Sequence, residues 1–127
     1  MSVKILVVDD KEYVVKLLSK KLTANGFEVM TAGNGKEAID IVNESPPNLI
    51  IMDILMPEMD GSTAAEELRS NPQTSRIPII FLTELVQKSE EEASGHVIGG
   101  NYFIAKPFKT EDLIQFVRDV LKKEAGR

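Results

Sequence analysis

Five short apolar runs, each followed by a stretch of helical character, restrict this chain's fold more than any other feature. The runs are Val3 to Val8, Phe27 to Thr31, Leu49 to Met52, Ile77 to Leu82 and Tyr102 to Ala105. Continuous, β-branched runs fit strands buried on both faces, as in a parallel sheet, while the alternation at Phe27 and Val29 fits an edge strand. Between the runs, Val14, Leu17, Leu18 and Leu22 fall at helical spacing and Asn25-Gly26 supplies a stop. Ala38, Ile41 and Val42 form a second stripe ending before Pro46-Pro47, and Ala64, Ala65 and Leu68 a third after Asp60-Gly61. A fourth helix, about Val86 to Ile98, is the weakest: it carries Glu90 to Glu92, contains Gly95 and stops at Gly99-Gly100. The last begins at Thr110 as N-cap, has Glu111 and Asp112 in its positive first turn, and buries Leu113, Val117, Val120 and Leu121. Strand and helix alternating five times predict right-handed βαβ units and a parallel sheet with helices on both faces.

With 127 residues and 43% apolar composition, the chain reads as one domain, residues 1–127, with one core. Zero cysteines exclude a disulfide framework, a thiolate zinc site and a cysteine nucleophile. A single histidine, His96, disfavours a multi-histidine metal centre and is given no role. No apolar run approaches the roughly 20 residues of a membrane helix, and Met-Ser-Val-Lys leads straight into a strand, so a soluble, cytoplasmic protein is expected. Twenty acidic against 15 basic residues give −5, which disfavours nucleic acid and anionic membranes as partners.

In open parallel sheets the ligand crevice lies beyond the carboxyl ends of the strands. Here those ends read Asp9-Asp10, Asp53, Thr83 and Lys106-Pro107. Asp53 follows a continuous apolar run, where an unpaired carboxylate is costly to desolvate. A hard divalent cation such as Mg²⁺ relieves repulsion among clustered carboxylates through oxygen ligands and retained waters. With Asp53 as nucleophile, Lys106 as a fixed cation and Thr83 as a hydrogen-bond donor, the parts needed for phosphoryl transfer are present.

Four pieces in order, each at a strand end, carry a resemblance. They are Val7-Val8-Asp9-Asp10; Asp53-Ile54-Leu55-Met56-Pro57-Glu58-Met59-Asp60-Gly61; Leu82-Thr83; and Phe103-Ile104-Ala105-Lys106-Pro107-Phe108. Over residues 3 to 123 the chain resembles the receiver domain of two-component response regulators, a flavodoxin-like group that includes the single-domain chemotaxis regulator. The resemblance implies a doubly wound α/β fold: five parallel strands in the order 2-1-3-4-5, with five helices on two faces. It implies that Asp53 accepts a phosphoryl group from a sensor histidine kinase or a phosphotransfer protein. Asp10, Asp53 and the main-chain carbonyl of Leu55 would ligate Mg²⁺, with Asp9 acting through water. Lys106 would pair with Asp53 and then with the phosphoryl group, Thr83 would move toward it, and Phe103 would turn into the vacated space. The peptide before Pro107 is expected to be cis. The surface around the fourth helix, fifth strand and fifth helix would be read by an output protein, or by an output domain beyond residues 1–127. Some receivers pair through that face when phosphorylated; the weak fourth helix argues against such a homodimer here.

Departures from the family pattern also carry expectations. Glu84 stands where a small residue is usual, and Leu55 where a polar one is common. Glu84 would either hinder phosphorylation or obstruct the water that removes phosphate, and Leu55 would slow hydrolysis, so a long-lived phosphorylated form is expected. Phe103 replaces the commoner tyrosine, and the stretch from Thr83 to Lys106 is about one residue longer than usual.

Plain structural readings exist for each residue. Asp53 could cap a turn, Asp9-Asp10 could cap the first helix, Lys106 could be a solvated lysine, Thr83 a β-former and Phe103 a packing aromatic. Met52, Met56 and Met59 read as packing and turn residues. Glu90 to Glu92 reads as a solvated face, with docking as the alternative. Two enzyme-like or carrier functions fit poorly. An aspartyl-nucleophile phosphatase needs a second Asp two residues after the first-strand nucleophile, but Lys11 and Glu12 follow Asp10. A flavin mononucleotide carrier needs a Ser/Thr/Gly-rich loop where Asp-Asp-Lys-Glu stands. A degenerate receiver, binding partners without phosphorylation, is the remaining alternative. The chain is expected to be a signalling module that catalyses its own aspartyl phosphorylation and dephosphorylation, and no metabolic enzyme.

Overall fold

The computed structural model describes residues 2–56, 59–83 and 101–126, and the backbone of 96–98. In chain order the elements are β1 (Lys4–Val8), α1 (Glu12–Ala24), β2 (Glu28–Ala32), α2 (Gly35–Glu44), β3 (Leu49–Asp53), α3 (Gly61–Ser70), β4 (Ile79–Thr83), β5 (His96–Ile98), β6 (Asn101–Ala105) and α4 (Thr110–Ala125). Five strands pair in parallel in the order β2-β1-β3-β4-β6, the expected 2-1-3-4-5 arrangement. β5 adds a short antiparallel edge beyond β6.

That edge strand corrects the sequence reading, which ran a fourth helix through Ile98. Residues 84–95 lie outside the described residues, but His96–Ile98 is extended and pairs with Phe103, Tyr102 and Asn101. The physical reason is local. Val97 and Ile98 are β-branched, and the dipeptide between the paired Ile98 and Asn101 is Gly-Gly, a combination that two-residue hairpins favour. Among the described residues there are four helices where five are expected.

Strand pleating divides the core into two layers. On one face Ile5, Val7, Ile51, Leu82 and Ile104 pack with Val14, Leu18 and Leu22 of α1 and Leu113, Val117 and Val120 of α4. On the other, Leu6, Val8, Ile50, Met52 and Phe81 pack with Ala38 and Val42 of α2 and Ala64, Ala65 and Leu68 of α3. β3 and β4 are buried along their whole length, as the continuous apolar runs predict. Leu17 departs from its expected place in the stripe of α1: it is 45% exposed.

Helix ends follow local chemistry. Gly26 takes φ 90°, a left-handed turn suited to glycine after α1. Asn34 caps α2 by accepting from Glu37 N at 2.8 Å, and Asp60 caps α3 by accepting from Thr63 N at 2.8 Å. At α4 the expected cap is displaced by one residue. Lys109 is the N-cap, and Thr110 lies within the helix because its hydroxyl donates to Glu111 Oε1 instead of accepting from the backbone. Among the described residues no helix is long and apolar enough to cross a membrane.

Candidate functional site

Because β1, β3, β4 and β6 run in parallel, their carboxyl ends share one edge of the sheet. Asp9 and Asp10 follow β1, Asp53 ends β3, Thr83 ends β4 and Lys106 follows β6. Backbone hydrogen bonds lock these ends together: Asp9 N donates to Ala32 O at 3.2 Å, Ile54 N to Leu82 O at 3.2 Å and Lys106 N to Thr83 O at 2.9 Å. Gly61 closes the turn after Asp53, since a Cβ there would stand 2.4 Å from Asp53 O. Among the described residues, this is one reason for Gly61 in the motif that begins at Asp53.

The side chains converge with a definite charge pattern. Asp9 and Asp53 are buried, at 1% and 5% exposure, and Asp10 is exposed. One carboxylate oxygen from each of the three lies within 4.8 Å of the others. Mg²⁺–oxygen bonds are about 2.0–2.1 Å, so oxygens gathered this closely are near the spacing of donors around one ion. Hard oxygen donors of this kind suit Mg²⁺ chemically. Lys106 Nζ sits 3.2 Å from Asp9 Oδ2 and 3.3 Å from Asp53 Oδ2, with its side chain 13% exposed. Burial pushes the Asp53 carboxyl above the usual aspartate range and the Asp9 charge adds to that, while Lys106 and Lys11 pull the other way.

Lys11 is the site residue that sequence reasoning missed. Its ammonium lies 3.6 Å from Asp10 Oδ1 and 4.0 Å from Asp53 Oδ2. The Asp10 charge raises its pKa, burial opposes that in part, and the Asp53 and Asp9 charges add smaller rises. Its immediate succession to Asp9-Asp10, at the mouth of α1, was the available signal. As the N-cap of α1 it makes no side-chain cap bond, so its side chain is not committed to the helix.

The remaining expected residues are placed as follows. Thr83 is buried at the end of β4, one strand from Asp53. Leu55 is 60% exposed two residues beyond Asp53. The Lys106–Pro107 peptide is cis. Phe103 is half-buried and stacks on Phe81, ring centroids 5.5 Å apart, while Arg69 lies over Phe81 at 5.9 Å. Both rings line a cleft of about 420 Å³ bounded by Ile54 and by Ala65 and Arg69 of α3. Glu84 and Glu90 to Glu92 lie outside the described residues, as do Pro57 and Glu58.

A doubly wound sheet with an acidic notch and a lysine at its carboxyl edge defines a class, and comparison with known proteins names it. The sequence matches the response regulator receiver domain over residues 5–118, and the chain belongs to that family. It is a receiver domain of two-component signalling. It is 39% identical over 120 residues to the probable transcriptional regulator ycf27 of Porphyra purpurea, covering 94% of this chain and 48% of that protein. It is 39% identical over 118 residues to the response regulator PleD of Caulobacter vibrioides, covering 93% of this chain and 25% of PleD. The chain therefore spans half or less of these relatives. The structure of the chemotaxis response regulator CheY4 of Vibrio cholerae superposes with a TM-score of 0.81 at 31% identity, covering 94% of this chain and 99% of that one.

Proposed function

We propose that this chain is a phosphorylation switch in which Asp53 accepts a phosphoryl group from a sensor histidine kinase or phosphotransfer protein. The supporting observation is the contact of Lys106 Nζ with Asp53 Oδ2 at 3.3 Å, inside the cluster made with Asp9 and Asp10. An Asp53 carboxylate oxygen attacks phosphorus in line, a P–O bond forms, and the P–N bond to the donor imidazole breaks. The electron pair of that bond leaves with the imidazole nitrogen, which takes up a proton. Lys106 is positioned to follow the charge as it moves from the carboxylate to the phosphoryl oxygens, and Thr83 to donate to one of them. Asp9, Asp10 and Asp53, with the carbonyl of Leu55, would hold Mg²⁺, which supplies charge neutralisation at the phosphoryl oxygens. Water attack on the acyl phosphate later restores Asp53 and releases inorganic phosphate.

Residues 1–127 are a single receiver unit that acts in the cytoplasm. Its output is a partner protein or an attached output domain, in keeping with the longer relatives ycf27 and PleD. The changed surface lies around Phe103, whose ring would shift when Thr83 draws toward the phosphoryl group. Intact-mass measurement after incubation with acetyl phosphate and Mg²⁺ tests the reading. One added phosphoryl group is expected, abolished by chelation of the metal and by Asp53→Asn. An unchanged mass in the native chain would instead mark a degenerate receiver.

A further inference from the structure

We propose that Lys11 is a tethered counter-ion on the open side of the acidic notch, which a divalent cation must displace and which sets the notch's affinity for that cation. The inference rests on the reading of the notch as a Mg²⁺ site. Two ammonium groups divide three carboxylates between them. Lys106 serves the buried pair, at 3.2 Å from Asp9 Oδ2 and 3.3 Å from Asp53 Oδ2, and its side chain is 13% exposed. Lys11 serves the outer pair, at 3.6 Å from Asp10 Oδ1 and 4.0 Å from Asp53 Oδ2, and its side chain is 45% exposed. Asp10, the exposed carboxylate of the three, holds the side of the notch that faces solvent.

The backbone fixes where this lysine starts and leaves its end mobile. Lys11 N donates to Asp9 Oδ1 at 2.9 Å, and Lys11 O accepts from Val14 N at 3.0 Å and Val15 N at 3.2 Å. The main chain is thus held at the rim by the notch on one side and the first turn of α1 on the other. The ammonium makes long ion pairs, beyond hydrogen-bond distance, and four methylenes let it swing outward. An entering divalent ion takes over the attraction of Asp10 and Asp53 and repels the ammonium, which stays tethered within several ångströms. Each binding event therefore carries the loss of two ion pairs and a residual repulsion. A neutral side chain at this position removes both.

Calorimetric titration of the whole chain with MgCl₂, native and substituted, tests this. Lys11→Gln should bind Mg²⁺ roughly three- to tenfold more tightly than the native chain, the range expected for removing a nearby, partly screened unit charge. The difference should shrink as salt is added. Lys11→Arg keeps the charge and should keep the native affinity. Lys16→Gln, which removes an exposed partner of Glu12 one turn along α1, is the control and should also keep it. Equal or weaker binding by Lys11→Gln overturns the inference while leaving the metal site standing. Absence of saturable binding in both the native chain and Lys11→Gln overturns the metal reading and the inference with it.

Discussion

Replacing Lys106 by methionine isolates the electrostatics of the notch. The substitution preserves the length and packing of the side chain but removes the cation that contacts both Asp9 and Asp53. Breaking a buried ion pair by deleting one partner costs about 3–5 kcal/mol. Some of that cost is avoided, because Lys106 is 13% exposed and Asp53 can take up a proton, which leaves about 2–3 kcal/mol at neutral pH. For a chain of 127 residues, at roughly 3–5 °C per kcal/mol, Tm should fall by about 6–15 °C. The pH dependence has a definite sign. The folded-state pKa of Asp53 already lies above the ordinary value of 3.8, and loss of Lys106 raises it further. A folded group that holds its proton more tightly than the unfolded chain loses stability as pH rises from the unfolded value through the folded one. The deficit of Lys106→Met relative to the native chain should therefore be small in acid and complete at neutral pH. A second substitution, Asp53→Asn, should recover most of it. Thermal melts in chelator across this pH range provide the measurement. A deficit independent of pH, or one that grows as pH falls, would refute the reasoning.

Other positions give simpler expectations. Ile51→Ala in the central strand β3, where the residue is fully buried, should cost about 3–4 kcal/mol in denaturant titrations with little change in slope. Gly61→Ala places a methyl 2.4 Å from Asp53 O and should cost about 2–3 kcal/mol, with slower phosphorylation because Asp53 must shift. Leu55→Asn, at an exposed position, should leave stability within about 0.5 kcal/mol while shortening the lifetime of the acyl phosphate after acetyl phosphate is removed. An unchanged lifetime would remove Leu55 from the account.

The meeting of Asp9, Asp10, Asp53 and Lys106 was legible from one rule, whereas the strand order came from the family resemblance. Parallel strands place their carboxyl ends on a common edge, so residues far apart in sequence share a rim. What escaped depended on shorter-range competition. Val97 and Ile98 are too brief an apolar run for periodicity to separate helix from strand, and pairing with Tyr102 and Asn101 decides for an edge strand. Thr110 has the chemistry of an N-cap, but its hydroxyl donates to Glu111 and the helix begins one residue earlier. Leu17 fits the spacing of α1 yet points outward, because Val14, Leu18 and Leu22 already fill the strip facing the sheet. Lys11 escaped for a different reason. Its role arises from where a long side chain turns, and that is set by the unbalanced charge of three carboxylates assembled from two strand ends.

The central claim concerns one side chain, and borohydride reduction tests it directly. An aspartyl phosphate is reduced to homoserine, whereas an unmodified carboxylate is untouched. After treatment with acetyl phosphate and Mg²⁺ followed by borohydride, peptide mapping should find homoserine at position 53 and at no other aspartate. Homoserine at Asp9 or Asp10, or its absence from a chain that has demonstrably gained phosphate, would contradict the account.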